Sequence, residues 1–324
     1  MKQNPDILAP IEAELERFNK IFDMTLQDND EQLSQILNVV SQRKGKLMRP
    51  ILLLLVAKEF GEINDSTYLS AVTLEMLHTA SLIHDDVVDE SNERRGRASL
   101  NAIFGNKVAV LAGDYLLSNS LLRASDTLNL AIVNRILLLG KELAGGEIMQ
   151  LKNSEADGFS ETSYFNVIKL KTAALFAASA ELGSVSVGAD KNAIENAKKL
   201  GEIIGMCFQI RDDIFDYYDD IKVGKPTGND LAEGKLTLPI LYVIKNFPNP
   251  GILDLATQVK DGTISKEGID EMVHFAKDFG GIEYAKNRMQ EFADQAKCIV
   301  NSFSNDGIRK ALIAYIEFVT NRSL

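Results

Sequence analysis

Basic residues are too few in this 324-residue chain to balance its acids: 35 Lys and Arg stand against 46 Asp and Glu, a formal net charge of −11. That deficit argues against a nucleic-acid binder, whose usual footprint is a basic face. Cysteine occurs only as Cys207 and Cys298, far apart and without metal-ligand spacing. This gives little support to a disulfide framework or a zinc site, and it suits a reducing cytoplasm. No run of about 18 apolar residues occurs and the opening MKQNPDILAP has no apolar signal core, so a cytoplasmic protein is expected, with peripheral membrane contact left open. Proline is scarce, at 7 residues, and neither a Ser/Pro/Gly-rich linker nor a fixed-period repeat divides the chain. Sustained strand-type alternation is missing as well.

What is present is helical periodicity. Apolar residues recur at i, i+3, i+4 and i+7 almost throughout. The pattern predicts helices over 5–27, 31–43, 48–60, 66–91, 106–123, 127–152, 161–187, 190–220, 237–246, 265–279, 281–303 and 306–321. The fold class expected is all-α, a single large helical bundle formed by one domain over 1–324. Segments 71–84, 108–117 and 131–144 are apolar nearly all round, as in helices buried inside a large bundle.

Into one of these apolar helices the stretch LIHDDVVDES inserts Asp85, Asp86 and Asp89. Carboxylates at i and i+4 project from one helix face, so Asp85 and Asp89 point the same way. A lone DDxxD is more often a solvated helix end than a site. The stretch QIRDDIFDYYDD repeats the spacing with Asp212, Asp213 and Asp216, and two such clusters are far rarer than one. If the two helices face each other, burying that much negative charge requires a cation between them. Oxygen-only ligands favour a hard ion, and magnesium shares its shell with water and substrate phosphates; the loop of a calcium EF-hand is absent. The remaining ligands are then a diphosphate. Short polar segments beside the acidic helices supply Lys46 and Arg49, Arg94 and Arg95, Lys171 and Thr172, and Lys225 and Lys235, whose cationic groups suit phosphate oxygens.

Five ordered signatures, GKLMRP, HDDVVDESNERRG, KT, QIRDDIFD and GKPTGNDLAEGKLTLP, make the chain resemble the trans-isoprenyl diphosphate synthases, or polyprenyl synthetases, over nearly its whole length. The resemblance implies an all-helical fold with a central cavity and facing aspartate motifs. It also implies a prenyltransferase that condenses isopentenyl diphosphate successively onto an allylic diphosphate, with Mg2+ as cofactor. Carried over by position, Asp85, Asp89 and Asp212 resemble the principal metal ligands, with Asp86, Asp213 and Asp216 in supporting places. Lys46, Arg49, His78 and Arg95 resemble the isopentenyl diphosphate site, and Arg94, Lys171, Thr172, Gln209, Lys225 and Lys235 the allylic side. For His78 the residue pattern leaves two readings, a site residue on the face of Asp85 or a satisfied core histidine. Leu47 stands where the first signature commonly has a basic residue. A homodimer is implied by the family and by exposed apolar faces such as 106–123.

The chemistry agrees with the residue types. Ionising a carbon–oxygen bond leaves an allylic cation and a diphosphate anion, which calls for cationic groups at the leaving group and protection of the cation from water. No protein nucleophile is needed, and no Ser, Cys or His triad is seen. Terpene cyclases and head-to-head condensing synthases share parts of the pattern, but Lys46, Arg49 and Arg95 speak against both. The non-catalytic partner subunit of a two-component synthase would be expected to lose an aspartate cluster.

Product length is addressed by Ala80 and Ser81, which lie about one turn, roughly 5 Å, before Asp85. Short-product family members resemble one another in carrying an aromatic there. Small side chains leave that level open, and Leu77, Leu139 and Leu143 are candidates for the wall and floor beyond it, each of which also reads as plain core packing. The expectation is a product of about forty carbons (octaprenyl), grown on farnesyl diphosphate and suited to a quinone side chain.

Overall fold

In the computed structural model the described residues are 5–43, 45–94, 96–155, 160–218 and 227–321, with the side chains of 151–155 left aside. Among them the secondary structure is helical except for a two-residue antiparallel ribbon that pairs Glu93 with Ala98 and Arg94 with Arg97. The chain groups into two compact units. One comprises Met1–Lys141, Leu175–Gly201 and Ile299–Tyr315, the other Glu142–Ala174, Glu202–Cys298 and Ile316–Leu324.

The first unit is organised on the helix Asp65–Val88, buried along most of its length and packed on Asn106–Asp126 and Met48–Phe60. A reciprocal capping box starts it. The Asn64 side chain accepts from Thr67 N–H, and Thr67 Oγ1 accepts from Asn64 N–H. The helix ends at Val88 rather than at the expected 91. Ser91 N–H bonds to Asp86 C=O at 2.9 Å and Glu90 N–H to Val87 C=O at 3.4 Å, with Glu90 left-handed at φ 49°. This is a Schellman stop with glutamate in the place glycine usually takes. Asp89 is therefore the C-cap and not part of a continuing helix.

Helix Met48–Phe60 buries Pro50 through Ala57 without interruption, as its unbroken apolar run demands. Close approach is set by glycine. A Cβ on Gly183 would lie 2.5 Å from Leu53 O, and one on Gly201 would lie 2.2 Å from Phe176 O. Gly201→Ala is therefore expected to destabilise the fold by about 1–3 kcal/mol, measured as a lower denaturation midpoint. An unchanged midpoint would show that these helices can separate without cost.

The second unit is built around Tyr164, Ile168, Ile210, Ile214, Leu238, Leu241, Val259 and Met272. Its elements differ from the sequence expectation in four places. The segment expected as one helix over 161–187 is Glu161–Ile168, a π turn Lys169–Ala173, and Ala174–Ser186. The helix expected to reach 220 ends at Phe215. Helix Pro250–Lys260 was not expected, because Pro and Gly at its start look like loop; Pro250 occupies the first turn, where its missing N–H is harmless, and Asn249 caps Ile252. The single turn Asn229–Ala232 was not expected either.

Both thiols are free, Cys207 buried and Cys298 exposed. Among the described residues no helix is long and apolar enough to cross a membrane.

Candidate active site

Each aspartate motif lies at the C-terminal end of a long helix, where unpaired carbonyls already give the helix end a partial negative charge. Carboxylates added there strengthen a field that only cations relieve.

In the first unit the three aspartates differ in environment. Asp86 is 2% exposed and receives Arg94 Nε at 2.5 Å, while Asp85 is half-buried and Asp89 exposed. Burial pushes the Asp86 carboxyl above its ordinary value, and the Arg94 hydrogen bond and charge pull it back. Arg94 itself is placed by the short ribbon. On the same long helix, two turns before Asp85, His78 Nε2 lies 2.8 Å from Arg49 Nη1. An arginine can only donate, so Nε2 accepts and the imidazole is neutral with its proton on Nδ1. The Arg49 guanidinium also stacks 4.9 Å over the Phe176 ring. The His78 ring is thus hydrogen-bonded to Arg49.

A cavity of about 60 Å³ adjoins these groups and is lined by His78, Asp86, Arg94, Thr79, Arg43 and Glu75. Arg43 and Glu75 were not singled out from sequence; the basic run QRKGK was the available signal for Arg43, whereas Glu75 is masked by its apolar helix. Lys46 is exposed beside Leu47, which holds φ 53° at the start of Met48–Phe60. A non-glycine residue in that region is strained, and such strain is commonly retained where a loop serves a site. Arg95 lies outside the described residues.

In the second unit a cavity of about 250 Å³ collects Lys171, Thr172, Gln209, Asp213 and Lys235 with Tyr164, Asp230 and Lys260. Lys171 and Thr172 sit in the π turn, whose extra residue shifts them out of ordinary helical register. Lys171 Nζ is 2.6 Å from Glu147 and 3.3 Å from Gln150 Oε1. Thr172 Oγ1 donates to Gln209 Oε1 at 2.7 Å, Gln209 Nε2 to Asp213 Oδ1 at 2.8 Å, and Tyr164 Oη to Asp213 Oδ2 at 2.5 Å. Burial and the charge of Asp230 push the Asp213 carboxyl well above its ordinary value, against the pull of its two donors.

Asp212, by contrast, is exposed. Its Oδ1 accepts from Arg211 Nη2 at 2.8 Å, and Arg211 Nη1 donates to Val319 O at 2.7 Å, with Phe208 and Phe215 rings over the guanidinium. Arg211 thereby caps the end of helix Asp306–Thr320 while steadying Asp212. Asp216 follows the helix end and accepts from Asn229 N–H and Asp230 N–H, both at 3.0 Å, capping the turn Asn229–Ala232. Lys235 pairs with Glu233 at 2.5 Å. Lys225 lies outside the described residues.

Among the described residues no three His, Cys, Asp or Glu side chains are close enough to hold a metal ion by themselves. The donor set is still the one a hard cation uses: accessible carboxylates at Asp85, Asp89 and Asp212, each at or beside a helix C-terminus. Magnesium in particular takes few protein ligands and keeps water or phosphate in the rest of its shell.

An all-helical fold with a DDxxD motif at the end of each of two long helices, and cationic cavities beside them, defines an isoprenoid-synthase type of protein. The family profile described as Polyprenyl synthetase matches residues 30–273. The octaprenyl diphosphate synthase of Haemophilus influenzae is 31% identical over 313 residues, covering 96% of this chain and 95% of that one. A crystal structure of a geranylgeranyl pyrophosphate synthase from Bacteroides thetaiotaomicron superposes with TM-score 0.87 at 45% identity, over 98% of this chain and 99% of that one. A polyprenyl synthase from Caulobacter crescentus, crystallised with calcium and isoprenyl diphosphate, superposes with TM-score 0.90 at 28% identity, over 98% and 97% of the two chains. The chain belongs to the polyprenyl synthetase family and is a prenyltransferase.

Proposed function

We propose that this enzyme is a long-chain all-trans polyprenyl diphosphate synthase. It adds isopentenyl diphosphate repeatedly to an allylic primer, farnesyl diphosphate, and stops at about forty carbons, a length suited to quinone side chains. The observation that carries the reading is the pairing of each aspartate-ended helix with a cavity lined by Lys or Arg. Lys171 and Lys235 supply point charges for the allylic diphosphate, and Arg49, oriented by His78, supplies a fork for isopentenyl diphosphate. The apolar residues around them, such as Val167, Ile168 and Leu241, keep water from an allylic cation. Asp85, Asp89 and Asp212 would hold Mg2+, with Asp86, Asp213 and Asp216 supporting them. Bound there, the ion supplies Lewis-acid stabilisation of the departing diphosphate.

The experiment is a mass measurement of the product formed from farnesyl diphosphate, excess isopentenyl diphosphate and Mg2+. A product near forty carbons supports the reading, and no condensation with any allylic primer refutes it. A twenty-carbon product is the second reading, favoured by the 45% identity to the protein named for geranylgeranyl pyrophosphate.

Substituting Arg49 by Gln is expected to raise KM for isopentenyl diphosphate about ten- to a hundredfold, the worth of a charge-assisted hydrogen bond, and to raise KM for the allylic substrate much less. Steady-state kinetics with each substrate varied in turn distinguishes the sites, and the opposite pattern would exchange their assignment. Arg95→Gln is expected to behave like Arg49→Gln.

We also propose a cytoplasmic homodimer, with membrane contact limited to product release. Leu111, Leu122, Leu137 and Leu138 are all exposed, from 51% to 67%, and a second copy would cover them. Sedimentation at micromolar concentration is expected to give twice the chain mass, and a monomer throughout would remove the dimer.

A further inference from the structure

Tyr164 is more than nine-tenths buried, and its hydroxyl ends a chain of hydrogen bonds that runs along the wall of the larger cavity. The order is Tyr164 Oη to Asp213 at 2.5 Å, Gln209 Nε2 to Asp213 at 2.8 Å, and Thr172 Oγ1 to Gln209 Oε1 at 2.7 Å. Each link constrains the next. Asp213 takes donors on both oxygens, so the Gln209 amide must turn its nitrogen toward Asp213 and its oxygen toward Thr172. The Thr172 hydroxyl then spends its one hydrogen on Gln209. Its lone pairs are left for the cavity, beside Lys171 and Lys235.

We propose that Tyr164 is a positioning residue of the condensation reaction: acting through Asp213 and Gln209, it fixes the Thr172 hydroxyl as a hydrogen-bond acceptor facing the allylic substrate. The inference rests on the function proposed above. Neither the tyrosine nor the relay is legible as a motif, because Tyr164 lies on Glu161–Ile168, seven residues before Lys171 and outside every signature of the sequence. Without the phenol, one buried Asp213 oxygen loses its donor and the carboxylate is no longer held in place, so the Gln209 amide bonded to it is no longer held firmly against Thr172. Thr172 can then turn its hydrogen into the cavity, where it opposes an electron-poor carbon.

The test is a double-mutant cycle of Tyr164→Phe and Thr172→Val in the full-length enzyme. Phenylalanine keeps the ring volume, and thermal unfolding monitors the fold. Tyr164→Phe is expected to lower kcat about tenfold, with KM for isopentenyl diphosphate unchanged. In the Thr172→Val background, the same change is expected to have almost no further effect. Gln209→Glu, which leaves Tyr164 in place and puts an acceptor where the amide donates, is expected to give the same kcat-selective loss if Tyr164→Phe folds poorly. Additive losses in the cycle, or a normal kcat in Tyr164→Phe, would overturn the relay while leaving the proposed function standing. A wild-type enzyme that condenses no allylic primer would overturn both.

Discussion

Asp85→Ala and Asp212→Ala are each expected to lower turnover by about a thousandfold or more while leaving helicity by circular dichroism unchanged. These two positions separate catalysis from folding better than their neighbours do. Asp85 is half-buried and Asp212 exposed, so neither alanine opens a cavity in a packed interior. Asp86 and Asp213 are each 2% exposed and hold Arg94, Tyr164 and Gln209, so removing either carboxylate strands buried donors and confounds activity with stability. The Asp212 variant also frees Arg211, but that guanidinium keeps the Val319 carbonyl and the two phenyl faces. Turnover measured across a magnesium titration checks the prediction. Near-normal rates in either variant would show that its aspartate cluster does not serve the reaction.

The second large effect is on product length. Ser81 stands one turn before Asp85, is half-buried, and turns its hydroxyl back to His78 O at 2.9 Å. Phenylalanine there needs no apolar neighbour to move out of a sealed core, whereas Ala80 is 2% exposed and a large side chain at 80 would overpack it. On the proposed path of the growing chain, Ser81→Phe is therefore expected to stop elongation at about fifteen to twenty carbons, because the ring would fill the level that longer products cross and packed walls yield little. Mass analysis of products at abundant isopentenyl diphosphate reads the outcome. Unchanged length in a folded Ser81→Phe enzyme would place the path of the growing chain away from this face. Leu77 and Leu139 are poorer probes of the proposed wall and floor, since both are buried and truncating either costs about 2–5 kcal/mol before any effect on length appears. Leu143, half-buried, is the more informative of the leucines.

Local periodicity alone determined the helical class, the placement of the two DDxxD motifs at the ends of apolar helices, and the basic signatures near them, because i, i+3 and i+4 spacing and residue charge are properties of neighbouring residues. Helix ends were harder: Glu90 closes a Schellman stop without the glycine that marks one, and Pro250 opens a helix where proline usually signals a break. Tertiary structure decided which aspartate of each pair is sealed and which is accessible. It decided that His78 accepts from Arg49, and that Lys171 meets Glu147 from another helix. It also brought Arg211 to the carbonyls of Phe318 and Val319, and Tyr164 to Asp213. Each of these depends on which distant groups burial forces into hydrogen-bond range, a requirement imposed by desolvation and packing that no local pattern encodes.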